Sequence, residues 1–155
     1  MHALTRAAFG GYTWLRPPSG AINESEDDVR RDLAAHGGVL ARLDGAPVAA
    51  ARFVLEPRLL HVRRVAVDPA RQGTGIGREL MLWVERHARE RGFREVRLGV
   101  RAQLPGNRAF YERLGYRVVR SSVVAPRGEP VEHLELELTA DRFVSPVPGE
   151  IAGRV

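Results

Sequence analysis

The chain has 155 residues, 44% of them hydrophobic and 28% charged, which suits a single globular domain able to bury its own core. It contains no cysteine, which excludes disulfides, thiolate metal sites and a cysteine nucleophile, and no apolar run approaches the roughly 20 residues that span a bilayer. All 24 basic residues are arginine and the formal charge is +5, but the arginines are scattered and aromatics make up only 6%, so the pattern argues against a nucleic-acid-binding domain.

The amino terminus, Met1-His2-Ala3-Leu4-Thr5-Arg6, lacks the apolar core of a signal peptide, and the expected compartment is the cytoplasm. Leu4 to Phe9 reads as a short helix stopped by Gly10-Gly11, and Tyr12 to Asn23, with Trp14, Pro17, Pro18 and Gly20, reads as a loop. Ser25 is placed as an N-cap, followed by Glu26, Asp27 and Asp28 in a first turn that favours negative charge. Val29, Leu33 and Ala34 give that helix its apolar side, and Gly37-Gly38 ends it. Asp44-Gly45 between Val39–Leu43 and Val48–Leu55 predicts a hairpin.

After a turn at Glu56-Pro57-Arg58, Leu60 to Val67 forms a strand closed by Asp68-Pro69. Ile76, Leu80, Val84 and Ala88 stand at i, i+4 spacing, the buried stripe of a helix that Gly92 ends. Val96 to Arg101 is a further strand, so strand, helix and strand make a βαβ unit with a parallel pair. Asn107 to Leu114 reads as a short helix closed by Gly115, and Tyr116–Val124 with Val131–Leu138 as a final hairpin. The whole is one mixed α/β domain over residues 1–140 with a tail over 141–155. In that tail Phe143 to Pro148 could join a sheet only at its edge, because proline donates no ladder hydrogen bond.

Three glycines in five residues, Gly73, Gly75 and Gly77, lie between the long strand and the long helix. Strand, glycine loop and helix N-terminus together let bare backbone N–H groups face an anion. A P-loop is excluded because the chain contains no lysine, and a dinucleotide fingerprint is excluded because Arg78 stands where its third glycine belongs.

The segment Gln72-Gly73-Thr74-Gly75-Ile76-Gly77 resembles motif A of the GNAT superfamily of N-acetyltransferases, and Leu104-Pro105-Gly106-Asn107-Arg108-Ala109-Phe110-Tyr111-Glu112-Arg113-Leu114-Gly115-Tyr116 resembles its motif B region. The resemblance implies a mixed, mostly antiparallel sheet with a central parallel splay. It also implies a first strand ahead of the first helix, for which almost no residues are available; that strand is missing or replaced by a distant segment.

The resemblance further implies acetyl-CoA as co-substrate. Its diphosphate would meet the amides of Gln72, Gly73, Thr74, Gly75, Ile76, Gly77 and Arg78, with Arg71 and Arg78 flanking the loop and Arg108 near the ribose phosphate. Val65, Ala66 and Val67 would border the acetyl and pantetheine groups, and a backbone N–H near Val67 would polarise the carbonyl. Asn107 would contact the pantetheine, or else serve as an N-cap. Tyr111 is expected beside the sulfur, as general acid or hydrogen-bond donor, although Phe110, Tyr111 and Leu114 would also make a packing face.

For a general base, His61 shares strand parity with Arg63, Val65 and Val67, and a histidine titrates in the useful range. Glu56 and His133 are weaker candidates, and a water-mediated route needs no base at all. Glu24, Glu26, Asp27 and Asp28 either attract a cationic amine or simply cap a helix. His2, His36 and His87 do not group with carboxylates at metal-ligand spacing, so no metal is expected. The acceptor would be a small-molecule amine or a protein amino terminus, without nucleic acid or membrane, and a homodimer is left open. The competing reading is a catalytically silent coenzyme A-binding regulatory module.

Overall fold

The computed structural model describes residues 1–125 and 128–143. Helix α1 (His2–Gly10) is followed by a loop with a 3-10 turn at Gly20–Asn23 and by α2 (Glu26–His36). Strands β1 (Gly38–Leu43), β2 (Ala46–Leu55) and β3 (Leu59–Val67) lead into α3 (Ile76–Glu90) and β4 (Glu95–Arg101). Helix α4 (Pro105–Arg113), β5 (Arg117–Val124) and β6 (Val131–Thr139) complete the domain. The six strands form one sheet in the order β1-β2-β3-β4-β6-β5, antiparallel throughout except for the β3–β4 pair. This is the mixed sheet with a parallel βαβ centre that the sequence predicts. No strand precedes α1 among the described residues, and β1 is a sheet edge paired only with β2. Residues 144–148 lie outside the described residues, while Phe143, assigned to the tail, is buried against the core.

Local chemistry explains most of the boundaries. Ser25 accepts from the Asp28 N–H at 3.1 Å and the Asp28 carboxylate accepts from the Ser25 N–H at 2.8 Å, a reciprocal capping box. Asp44 and Gly45 both take positive φ, 51° and 80°, the two-residue turn whose twist suits a hairpin. Helix α3 buries Leu80, Val84 and Ala88 as its spacing requires, and Met81 and Glu85 widen the buried face. Each fully buried aliphatic side chain in such a core contributes roughly 1.5–3 kcal/mol. Phe53 of β2 stacks on His87 of α3 at 5.8 Å, whereas Arg52 bonds Asp32 of α2 at 2.8 Å, so α2 and α3 cover opposite faces of the sheet.

Two irregularities in β3 position the site. Ala66 pairs with Ala50 and Arg63 with Arg52, so β3 carries one extra residue, a bulge with Arg64 in the left-handed region at φ 53°. The expected common face of His61, Arg63, Val65 and Val67 is therefore corrected. Arg63 shares the α2 face with Arg52, while Val67 shares the α3 face with Ala49. The second irregularity is the splay: β3 pairs with β4 only from Leu59 to Val62, against Glu95 to Leu98. Beyond that point the strands diverge.

Candidate active site

The first cleft is built from backbone. Gly73 and Gly75 hold φ of 76° and 89°, a region that strains any other side chain, and Gly75 is the N-cap of α3. A Cβ on Gly77 would stand 3.4 Å from Val67 Cγ2 and 3.5 Å from Phe110 Cζ, so the helix start packs closely on β3 and α4. The loop braces itself: Asp68 accepts from the Ala70 N–H at 3.0 Å, and Thr74 Oγ1 donates to the Arg71 carbonyl at 2.6 Å. The N–H groups from Gln72 to Arg78 meet no protein acceptor among the described residues. Gln72, Gly73, Gly75, Gly77 and Arg78 of this loop line a cleft of about 290 Å³ together with Arg71. Amides without a protein acceptor, at the positive end of a helix with two guanidinium groups beside them, fit a diphosphate.

The second cleft, about 370 Å³, lies in the fork between β3 and β4 and is walled by α1 and the loop after it. His61, Arg63, Arg64, Arg101 and His133 line it. Glu24 braces Arg64 of that wall: Oε1 accepts from Arg64 Nε at 2.9 Å and Nη2 at 2.7 Å, while Oε2 accepts from the buried Arg52. Burial alone would raise the Glu24 carboxyl, but its hydrogen bonds to Arg64 and Arg52 and their charges outweigh it and hold the carboxyl below its ordinary value. The same contacts tie the acceptor loop to the bulge and hold Arg64 in its strained conformation.

The two clefts share Phe9, Tyr12, Val65, Asn107 and Tyr111. Tyr111 is 7% exposed, set edge-on between Phe110 and Tyr116 with ring centroids 5.0 and 5.9 Å away. Burial pushes its phenol well above the ordinary value and Tyr12 adds to the effect. Tyr116 is buried in turn beside Glu85, and both burial and that carboxylate push its phenol up. Burial lowers His61 below its ordinary 6.5; Glu135 and Glu56 oppose this, and Arg63 and Arg97 reinforce it. Burial and Arg101 lower His133 in the same way. Both imidazoles are therefore neutral at pH 7.

The structure places the predicted residues unevenly. Val65, Val67, Arg71, Gln72, Gly73, Gly75, Gly77, Arg78, Asn107 and Tyr111 line the first cleft. Thr74 and Ile76 belong to the same loop but line the opposite side, toward β1, and Ala66 is buried and lines neither cleft. His61 lines only the second cleft, and Glu56 lines neither. Helix α4 begins at Pro105 with Leu104 as its N-cap, so Asn107 is not a cap and its side chain is available to the clefts. Arg108 bonds Glu112 at 2.8 Å on the surface. Glu26, Asp27 and Asp28 are occupied by capping and by ion pairs with Arg30 and Arg31, Glu26 also lies 3.7 Å from His2 Nδ1, and none of the three lines the second cleft. Sequence reasoning missed Ala8, Phe9, Tyr12, Arg64 and Arg101, whose neighbours in the chain carry no motif. Among the described residues no group of three His, Asp or Glu side chains gathers for a metal, and no helix is long and apolar enough to cross a membrane.

Comparison with known proteins follows the same lines. A mycothiol acetyltransferase of Kocuria rhizophila is 33% identical over 106 residues, covering 68% of this chain and 32% of that protein. The chain thus spans about a third of that curated relative's length. The solved structure of yncA from Salmonella typhimurium, determined with its cofactor acetyl-CoA, matches with a TM-score of 0.67 at 19% identity, over 95% of this chain and 90% of that one. A probable acetyltransferase from Staphylococcus epidermidis matches with a TM-score of 0.74 at 15% identity, over 89% of this chain and 90% of that one. These two likenesses are of fold. Residues 5–116, which include every lining residue of the two clefts except His133, match the acetyltransferase (GNAT) family, and the chain belongs to it.

Proposed function

We propose that the protein is an acetyl-CoA-dependent N-acetyltransferase that moves an acetyl group to a primary amine by direct attack within a ternary complex. One observation carries the reading: the backbone-built cleft and the forked cleft meet at Tyr111, Asn107 and Val65. Two substrates lying in them would touch end to end, which is what a direct transfer needs. A chain without cysteine also has no route through an acyl-cysteine.

Acetyl-CoA, when bound, supplies the thioester carbonyl that the amine attacks. The amides of Gln72, Gly73, Gly75, Gly77 and Arg78 would hold the diphosphate at the start of α3, with the Arg71 and Arg78 side chains beside it. Backbone N–H groups between Val65 and Val67, past the point where β4 stops pairing, are placed to polarise the carbonyl oxygen. An alkylammonium with a pKa of about 10 leaves only about one molecule in a thousand neutral at pH 7, so the acceptor must lose a proton. Neutral His61 in the acceptor cleft takes it, directly or through water. Tyr111 faces the junction with its proton firmly held. Proton transfer from such a phenol to a thiolate with a pKa of about 8.5 runs uphill, so Tyr111 acts by donating a hydrogen bond to the leaving sulfur.

Thermal denaturation with and without acetyl-CoA, followed by thiol release over a panel of amines and amino-terminal peptides, tests the reading. Saturation at about 100-fold over the dissociation constant adds roughly 2.7 kcal/mol, or about 5–10 °C for a domain of this size. Absence of a shift overturns the proposal. A shift without turnover of any amine would instead support a silent coenzyme A-binding regulatory module.

A further inference from the structure

We infer that the acceptor is an amine that also carries a carboxylate close to its amino group, and that Arg63 and Arg101 hold this carboxylate in the fork between β3 and β4. The inference rests on the acetyltransferase reading and names the substrate class of its second cleft.

The argument starts from the charges on the wall. Three arginines and two histidines line the acceptor cleft, and no aspartate or glutamate does. The nearby carboxylates are already engaged. Glu24 is shared by Arg64 and Arg52, and Glu135 pairs with Arg97 and Arg120. Glu24 thus balances Arg64 but leaves the other two arginines of the wall without a counter-ion. Arg101 gives its Nη1 and Nη2 hydrogens to the carbonyls of Pro17 and Pro18, neutral acceptors that fix its position and leave its charge uncompensated. Burial and the neighbouring Arg64 weaken its hold on its proton, the signature of a cation in a cationic setting. Arg63 makes no ion pair among the described residues.

A half-buried wall with two uncompensated guanidinium groups repels an alkylammonium or a polyamine and attracts an anion. Guanidinium forks match a carboxylate in both charge and shape. A zwitterionic acceptor satisfies both demands: its carboxylate meets Arg63 and Arg101 while its nitrogen is left to His61 and the junction at Tyr111. The same cations favour the neutral form of the amine, which is the form that attacks. A cleft of about 370 Å³ is the size of a site for a small molecule or for the first residues of a peptide. A free amino acid and a peptide with an acidic first residue both present an amine beside a carboxylate.

The test uses the full chain with coenzyme A present and reads binding by calorimetry. One arm sets N-acetyl-α-amino acids against their own carboxamides; the other sets N-acetylated tetrapeptides beginning with aspartate against those beginning with asparagine. In at least one arm the acid should bind about tenfold or more tightly than its amide, and Arg63→Gln should reduce the ratio to about threefold or less. Arg63→Lys should recover part of it. The arm that responds identifies the source of the carboxylate. Equal binding of acid and amide, or no acid bound in either arm, overturns the inference. Turnover separates it from the reading beneath it. If acids bind preferentially but no amine releases thiol from acetyl-CoA, the carboxylate site stands and the transferase reading falls. If spermidine is acetylated faster than every acid-bearing amine, the transferase reading stands and the carboxylate site falls.

Discussion

The two clefts that meet at Tyr111 are made of different material. The first cleft, proposed for the donor, takes much of its wall from one short loop, Gln72, Gly73, Gly75, Gly77 and Arg78, shaped by left-handed glycines and the start of α3. The second cleft, proposed for the acceptor, is drawn from α1, the loop before α2, β3, β4, α4 and β6. Amides in a glycine loop recognise any diphosphate of the right shape. Side chains from several separated segments can be exchanged one by one, so acceptor choice can change without disturbing the donor side.

Substitutions that act on one side and spare the other sharpen this contrast. The largest effect is expected from Gly75→Glu, which puts a carboxylate and a strained backbone into the amide cradle at φ 89°. The thermal shift with acetyl-CoA should vanish, and with it all turnover; a retained shift would show that the loop does not hold the diphosphate.

Glu24→Gln attacks the frame of the acceptor side. It leaves Arg64 without a counter-ion and the 1%-exposed Arg52 with Asp32 alone. A loss of about 2–3 kcal/mol of stability is expected, below the full cost of stripping a buried cation because Asp32 remains. The pH dependence follows from the sign of the shift. The Glu24 carboxyl sits below its ordinary 4.5 when folded, so its contribution is fully present above that value and fades as pH falls through the lower folded pKa. Glu24→Gln should remove this part of the acid-side slope in denaturant titrations, while acetyl-CoA binding persists.

Tyr111→Phe acts where the clefts join. Losing one hydrogen bond to the leaving sulfur should lower kcat about tenfold to thirtyfold with the acetyl-CoA thermal shift unchanged. Unchanged kcat would leave Tyr111 as packing alone. His61→Ala should give the smallest effect, about tenfold in kcat/KM at pH 7, because water in an open cleft can take over part of the proton transfer. His61 is lowered below 6.5, so its base form predominates at neutrality and is lost in acid. The wild-type rate should therefore fall on an acid limb below pH 6.5, and the variant should lack that limb.

Much of the fold was legible because its signals are local. Asp44-Gly45 announces the first hairpin, the Ser25 box starts α2, and Gly115 closes α4, each within a few residues. The glycine loop and the parallel β3–β4 pair belong to the same class, since a strand, a helix and a strand leave little choice of connection. The bulge at Arg64 was not legible. An arginine at positive φ, unlike the aspartate of an Asp-Gly turn, has no sequence signature, and Arg64 is held there by Glu24, 40 residues away in the chain.

The sequence alone therefore determined the glycine loop, the order of elements and the presence of Tyr111 in the helix that follows β4, because these depend on short-range sterics and periodicity. Tertiary structure decided which side chains of β3 face the acceptor, since one bulge reverses the parity of the strand. It also decided that the acidic start of α2 is a cap and that arginines from β3 and β4 share one cleft, because charge acts through space and takes no account of distance along the chain.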